Sequence, residues 1–578
     1  MSRLIATGKQ SFFNLRVNNC FYVDKTKFIR EWWKGLDDVT LLTRPRRFGK
    51  TLMLDTVKTF FSLEFAGRSD LFEGLEIWKD EEFRNLQGKI PVIFLSFADI
   101  KSKSYDTAIK LINSRINRIY KNFRNFLNLD LLLETEKIQF ASVNNTMDLA
   151  TAQDSLLCLS EYLVSQGYSN PIILLDEYDT PLQEAWMNHY WDDLIAFIRG
   201  FFNTTFKTNP YLGRALISGI TRVAKESIFS DMNNLKVVSL TSDLYADCFG
   251  FTAQEVFSAM DEYELTNKEE VKSWYDGFIF GNQKEIYNPW SIINFLSTKI
   301  LDTYWADTSS NSLVSDLLAH SDINVKEETE DLLSGKSLVT YLDEQIDFSR
   351  IYTDKGAIWS LLMSAGYVKP LEVNRLAKKY KLEITNYEAK FIIEKKIFNW
   401  FKELRISERN NFIQALLEDE IGVMNELMSE IAESTFSFFD TKISQKKGRR
   451  EAENFYHGFV LGLIINLKER YSIISNRESG FGRYDICMYP KNLSDHGIVI
   501  EFKSIKLSEE ENLEATCASA LKQIKEKDYI KDLLVHNVAK SNIYVYGFAF
   551  QGKKVLILGG AYDSIDWDSI MKLNDGQS

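Results

Sequence analysis

Over roughly the first 240 residues, short apolar runs alternate with longer amphipathic stretches. Residues 38–42, 90–95, 171–175 and 215–220 are each nearly all apolar and bounded by turn or helix signals. That is the pattern of strands covered on both faces, as in a mostly parallel sheet. Residues 43–49 read as a loop and 51–61 as a helix, so the first region, 1–240, is expected to be a doubly wound α/β sheet. Residues 241–430 read as mostly helical, with aromatic punctuation and no strong strand series. Two acidic amphipathic stretches there, 327–333 and 416–433, read as solvated helix faces. The last region, 431–578, shows a long helix from 451 to about 469 and strands at 484–489 and 497–502. A helix at 513–525 and strands at 543–550 and 555–559 follow, the pattern of a compact second α/β domain. No internal repeat or low-complexity tract interrupts the chain.

With 578 residues, 45% apolar and 26% charged, the chain is long enough for several cores. Only 8 prolines and 28 glycines argue against long flexible linkers. Cys20, Cys158, Cys248, Cys487 and Cys517 form no CxxC, and the histidines form no HExxH. Reduced buried thiols and no zinc site are therefore expected. No apolar stretch reaches membrane-spanning length, and the N-terminal MSRLIATGKQSFF lacks a signal-peptide pattern, so a cytoplasmic protein is expected. A net charge of −12 argues against bulk attraction to nucleic acid or anionic lipid but allows a local basic groove. The run Lys446, Lys447, Arg449 and Arg450 is either a solvated connector or such a phosphate contact.

Two signals raise a nucleotide site above a chance pattern. Gly49-Lys50-Thr51 sits at a strand-to-helix junction, where backbone N–H groups, a lysine and a hydroxyl converge on phosphates and Mg²⁺. The loop is RPRRFGKT, with Arg44 where the first loop glycine usually stands and with Arg46 and Arg47 adding charge. Downstream, an apolar strand ends in Asp176-Glu177, which places one carboxylate beside the metal and a second where it orients an attacking water.

With FYVDKT at 21–26, LLDEYD at 174–179, GITR at 219–222, FGFT at 249–252, YDG at 275–277 and YNP at 287–289, this region resembles the prokaryotic AAA-ATPase-like family. The resemblance implies a P-loop NTPase sheet that binds ATP and Mg²⁺ with an arginine-rich loop. Carried over, Arg46, Arg47, Gly49, Lys50 and Thr51 bind phosphate, Thr51 and Asp176 hold the metal, and Glu177 serves the water. Arg222 becomes a candidate γ-phosphate sensor, though as a bare residue it suits a surface ion pair equally. YDG and YNP would build a helical lid and linker region over 241–430.

In the C-terminal region Asp485 is followed sixteen residues later by Glu501-Phe502-Lys503 at the end of an apolar strand. Residues two apart on a strand share a face, so the Glu501 carboxylate and Lys503 ammonium converge, and a hairpin would bring Asp485 beside them. Carboxylates that hold Mg²⁺ next to a cation are what phosphodiester hydrolysis requires, although a cross-strand ion pair explains the same residues. The set resembles the PD-(D/E)XK nucleases, and the ESGFGR approach at 478–483 resembles the nuclease domain usually fused to this ATPase family. That resemblance implies Mg²⁺ (or Mn²⁺) on Asp485, Glu501 and the Phe502 carbonyl, with Lys503 acting on the water. It also implies Glu453 as a further acidic ligand and Gln523, followed by Tyr529, as an orienting element. His457, one helical turn after Glu453, reads as an ordinary helix histidine. The expected protein is an ATP-dependent switch on a nuclease that cleaves nucleic acid, DNA before RNA. The alternative is a regulatory ATPase whose nuclease-like domain only binds nucleic acid or a protein. Oligomeric state stays open.

Overall fold

The computed structural model describes residues 3–223, 232–305, 323–333, 335–346, 354–400, 406–435, 469–475, 485–505, 512–551 and 554–574, with isolated positions between them. The chain divides into two compact units, residues 1–320 with 335–393, and residues 321–334 with 394–578. The expected boundaries after 240 and 430 do not fall between these units, for reasons given by the packing below.

The first unit is built on a five-stranded parallel sheet of β1 (Val39–Thr43), β2 (Val92–Ser96), β3 (Ile172–Asp176), β4 (Arg214–Gly219) and β5 (Leu235–Val238), in the order β2-β3-β4-β1-β5. Every residue of β1 and β3 is buried, which is why both read as nearly all-apolar runs. The helix Lys50–Phe61 leaves the end of β1 through Gly49, whose φ of +80° is the left-handed turn that glycine adopts at least cost.

The first unit's described residues after 240 pack back onto this sheet. They are helix-rich, and they also carry two small antiparallel sheets. One contains Phe251–Thr252, Phe278–Phe280 and Gln283–Tyr287; the other contains Leu338–Tyr341, Val368–Asn374 and Lys379–Ile384. Phe48, from the RPRRFGKT loop, lies edge-on to Phe278 and Phe280 with ring centroids 4.7 and 5.2 Å away. Residues 241–305 and the described residues of 335–393 thus belong to the first unit rather than to a separate layer.

The second unit has a five-stranded sheet, β6 (Tyr471–Ser475), β7 (Ile486–Pro490), β8 (Gly497–Ser504), β9 (Ile543–Gln551) and β10 (Lys554–Ala561), in that spatial order. Only β8 and β9 run parallel; the other neighbours are antiparallel. Ile498, Ile500 and Phe502 enter a core shared with the helices Ile406–Leu417 and Ile421–Thr435. The acidic stretch 416–433 therefore buries an apolar stripe (Leu416, Met424, Met428 and Ala432) while Glu418, Glu420, Glu426 and Glu430 are exposed and Asp419 accepts from Tyr546 Oη at 2.8 Å. Asn425 holds it to β10, donating to the Ile557 carbonyl at 2.9 Å and accepting from the Ile557 N–H at 2.8 Å. Those contacts explain why residues before 430 belong to this unit. Val499 points to the opposite face, against Leu521 and Ile524 of the helix Leu513–Glu526.

Candidate active sites

The loop after β1 is shaped by its own arginine. Arg44 is fully buried, donating to the carbonyls of Thr43 (3.0 Å), Ser239 (2.7 Å) and Leu244 (3.3 Å). Its guanidinium lies over the Phe280 ring at 4.8 Å, and burial lowers its pKa to about 10. The residue at the usual glycine position thus points away from the phosphate side and ties the loop to the segment after β5. Sequence reasoning counted Arg44 as loop charge; nothing in its identity signalled a buried anchor.

Lys50, buried at the start of the following helix, donates to the carbonyls of Arg44 (2.9 Å) and Pro45 (2.8 Å). Burial lowers its pKa to about 8, against the opposing pull of Glu177, Asp176 and Asp179. The Thr51 hydroxyl donates to Asp176 Oδ2 at 2.8 Å, and the Ser218 hydroxyl donates to Oδ1 at 2.5 Å. Burial pushes the Asp176 pKa up, while these two bonds draw it down. Glu177 stands in the left-handed region at φ +52° and accepts from Thr180 Oγ1 at 3.0 Å.

A cavity of about 380 Å³ opens here, lined by Arg46, Arg47, Lys50, Thr51, Glu177 and Trp290 among others. Arg47 lies 4.3 Å above the Trp290 ring, and burial lowers its pKa. Asn288 caps the helix Pro289–Thr298 and donates to the Arg46 carbonyl at 3.4 Å, so YNP touches the loop directly. YDG is placed differently. Gly277 (φ +122°) packs where a Cβ would lie 2.0 Å from the Thr385 carbonyl oxygen, so this turn holds the second small sheet in place.

Arg222 is not among the residues lining the cavity. Its short strand pairs with Gln345–Ile346; against the upward push of burial, the Asp343 pKa is lowered mainly by its bonds to Lys378 and the Gln345 N–H, with Arg222 adding to them. The turn that carries it is gripped by the end of LLDEYD. Asp179 Oδ2 accepts from the N–H groups of Ile220 (3.0 Å) and Thr221 (2.8 Å), and Tyr178 Oη donates to the Thr221 carbonyl at 2.9 Å. Ser218, Tyr178 and Asp179 were missed from sequence. Ser218 was legible in principle, as one hydroxyl inside an otherwise apolar strand.

In the second unit the pairing of Ile486 with Ile500 places Asp485 opposite Glu501 when the register is extended by one residue. Asp485 Oδ2 accepts the Phe502 N–H at 2.8 Å, and Glu501 is 3% exposed. Gln523, on the helix Leu513–Glu526, bridges the set. Its Oε1 accepts from Lys503 Nζ at 2.5 Å, and its Nε2 donates to Glu501 Oε1 and, at 3.1 Å, to Tyr529 Oη. The helix comes this close because Gly547, beside Glu501 on β9, has no side chain: a Cβ there would lie 2.7 Å from the Cys517 carbonyl oxygen. Glu453, His457 and the basic run 446–450 lie outside the described residues.

Among the described residues no group of three or more His, Cys, Asp or Glu side chains gathers. Both sites offer instead two hard oxygen donors, Thr51 with Asp176 and Asp485 with Glu501. Such sparse donor sets fit Mg²⁺, which keeps most of its water.

Residues 6–229 match the family model described as predicted AAA-ATPase, and residues 451–559 match that of the PD-(D/E)XK nuclease superfamily. The chain is also 22% identical over 575 residues to a protein of Azotobacter chroococcum mcd 1 described as "Uncharacterized protein in vnfD 5'region", an alignment covering 96% of this chain and 98% of that one. The chain thus joins an AAA-ATPase-like domain, over residues 6–229, to a domain of the PD-(D/E)XK nuclease superfamily, over residues 451–559.

Proposed function

We propose that the protein binds and hydrolyses ATP at the first site and, under that control, cleaves DNA at the second. The observation that carries the nuclease half is the Gln523 amide, which holds Lys503 and Glu501 side by side opposite Asp485. Asp485, Glu501 and the Phe502 carbonyl would hold Mg²⁺, which supplies polarisation of the phosphate and acidifies a water. Lys503, fixed by Gln523, positions that water and offsets the charge that develops on the phosphate. At the first site Lys50, Arg46 and Arg47 face the phosphates, Thr51 and Asp176 hold the metal, and Glu177 orients the attacking water. Arg222 reaches the γ-phosphate only if the 219–223 turn moves, and the Asp179 grip on that turn gives it a route to do so.

All five cysteines are free and buried, as suits a reducing compartment, and among the described residues no helix is long and apolar enough to cross a membrane. We accordingly place the protein in the cytoplasm.

Plasmid and single-stranded DNA are incubated with the full chain and Mg²⁺ or Mn²⁺, with and without ATP, while phosphate release is followed in parallel. Metal-dependent cutting whose rate changes with ATP is expected. Binding without strand breaks under every condition would replace this reading with a regulatory ATPase carrying a binding module.

A further inference from the structure

The second small sheet of the first unit ends in a hairpin that no chemistry described so far uses. Its strands Val368–Asn374 and Lys379–Ile384 pair from Val368–Ile384 out to Asn374–Lys379, with residues 375–378 as the tip. The tip is well formed: Asn374 Oδ1 accepts the Ala377 N–H at 3.0 Å, Lys378 takes a left-handed φ of +48°, and its carbonyl accepts from Leu342 N at 3.1 Å. Residues 371–379 are nonetheless all exposed, so a rigid element projects into solvent.

Its chemistry is one-sided. The hairpin, residues 368–384, carries Lys369, Arg375, Lys378, Lys379 and Lys381 against Glu372 and Glu383, and its tip 373–379 carries no acid, in a chain whose net charge is −12. Lys378 pairs with Asp343 at 2.5 Å, Lys381 pairs with Glu372 at 3.2 Å, and Arg375 donates to the Thr241 carbonyl. Lys379 forms no ion pair among the described residues. Exposed pairs of this kind contribute little to stability, so a phosphate displaces them readily. At the apex Leu376 is fully exposed, and Tyr341, opposite Lys379 on the neighbouring strand, is exposed as well.

We propose that this hairpin is a docking element for double-stranded DNA, with Leu376 entering a groove and Arg375, Lys378 and Lys379 meeting the phosphates on either side. The charge complements a phosphate backbone, and an apolar side chain at a basic tip is the kind of wedge that enters a DNA groove. A ribbon of this width fits grooves of B-form DNA, whereas the deep, narrow major groove of A-form RNA excludes it. The inference rests on the reading of DNA as substrate and adds the surface that grips it.

The test measures binding of the full chain to a labelled DNA duplex of about 30 bp, and to an RNA duplex of the same sequence, by anisotropy across a salt series in EDTA. In R375Q/K378Q/K379Q, DNA affinity is expected to fall about tenfold or more near 150 mM salt. The slope of log K against log salt is expected to shrink by about 2 to 3, since each lost phosphate contact removes about 0.9. Leu376→Ser should weaken binding a few-fold with the slope unchanged. Leu376→Ser should leave ATP hydrolysis and thermal unfolding at the wild-type level, and the triple variant, which also gives up the Arg375–Thr241 and Lys378–Asp343 contacts, should keep a cooperative unfolding transition. An unchanged affinity and slope in the triple variant, while wild type binds and cuts DNA, overturns the hairpin proposal alone. An RNA duplex bound as tightly as DNA overturns it too. A wild-type chain that binds no duplex removes it together with the DNA-substrate reading.

Discussion

Lys503→Ala is expected to slow metal-dependent DNA cleavage by about 10²–10³-fold, the loss typical when one preorganised donor to developing charge is removed. The ammonium is held by the Gln523 oxygen, and the same amide's nitrogen is spent on Glu501 and Tyr529. Gln523 therefore cannot turn to replace the lost cation without abandoning the carboxylate. Glu501→Gln is expected to be at least as severe, because it withdraws a buried carboxylate from the place where the proposed metal would be held. Both are measured as initial rates of plasmid nicking at saturating Mg²⁺, beside DNA binding in EDTA. Binding should survive Lys503→Ala while cutting does not. Undiminished cutting by a folded Lys503→Ala protein would show that chemistry occurs elsewhere.

Lys50→Ala is expected to weaken ATP binding by about 10- to 100-fold, since each hydrogen bond from a charged donor contributes about 1.5–3 kcal/mol. Phosphate release should fall at least as far. The wild-type protein carries its own control in pH. Burial holds the Lys50 pKa near 8, so the free protein loses this positive charge as pH rises through 8, and ATP affinity should decline over that interval. Lys50→Ala should lack the decline. Titration with a fluorescent ATP analogue from about pH 7 to 9 reads both effects. A flat wild-type profile would mean that Lys50 does not meet the phosphates.

The strands most legible in the sequence are the fully buried ones. The ends of β1, β2, β3 and β4 fall within two residues of the apolar runs, because burial on both faces leaves few polar interruptions. β5 escaped notice because it is a four-residue edge strand with Lys236 exposed. The small sheets escaped for a related reason. In Lys379–Ile384 only Tyr380 and Leu382 are buried, so a short alternation stands where a longer helical window was being read. Lys50, Thr51 and Asp176 could be named because their chemistry demands fixed positions at the ends of strands. Asp485 and Glu501 could be paired because a hairpin has few registers. Gln523 was reached through resemblance alone: only the close approach permitted by Gly547 shows why a glutamine on that helix meets both residues of the strand.

The buried guanidinium of Arg44 bears on how the ATPase region can be cut from its chain. The match to the family model ends at residue 229, yet two of the three carbonyls that receive this cation belong to Ser239 and Leu244, and the ring beneath it to Phe280. A fragment trimmed at the end of the match would keep the phosphate loop and strip the scaffold that bends it, leaving a charge with no place in the interior. The smallest piece that retains a native nucleotide loop must therefore extend past the hairpin at 278–287, so the autonomous unit is longer than its motif.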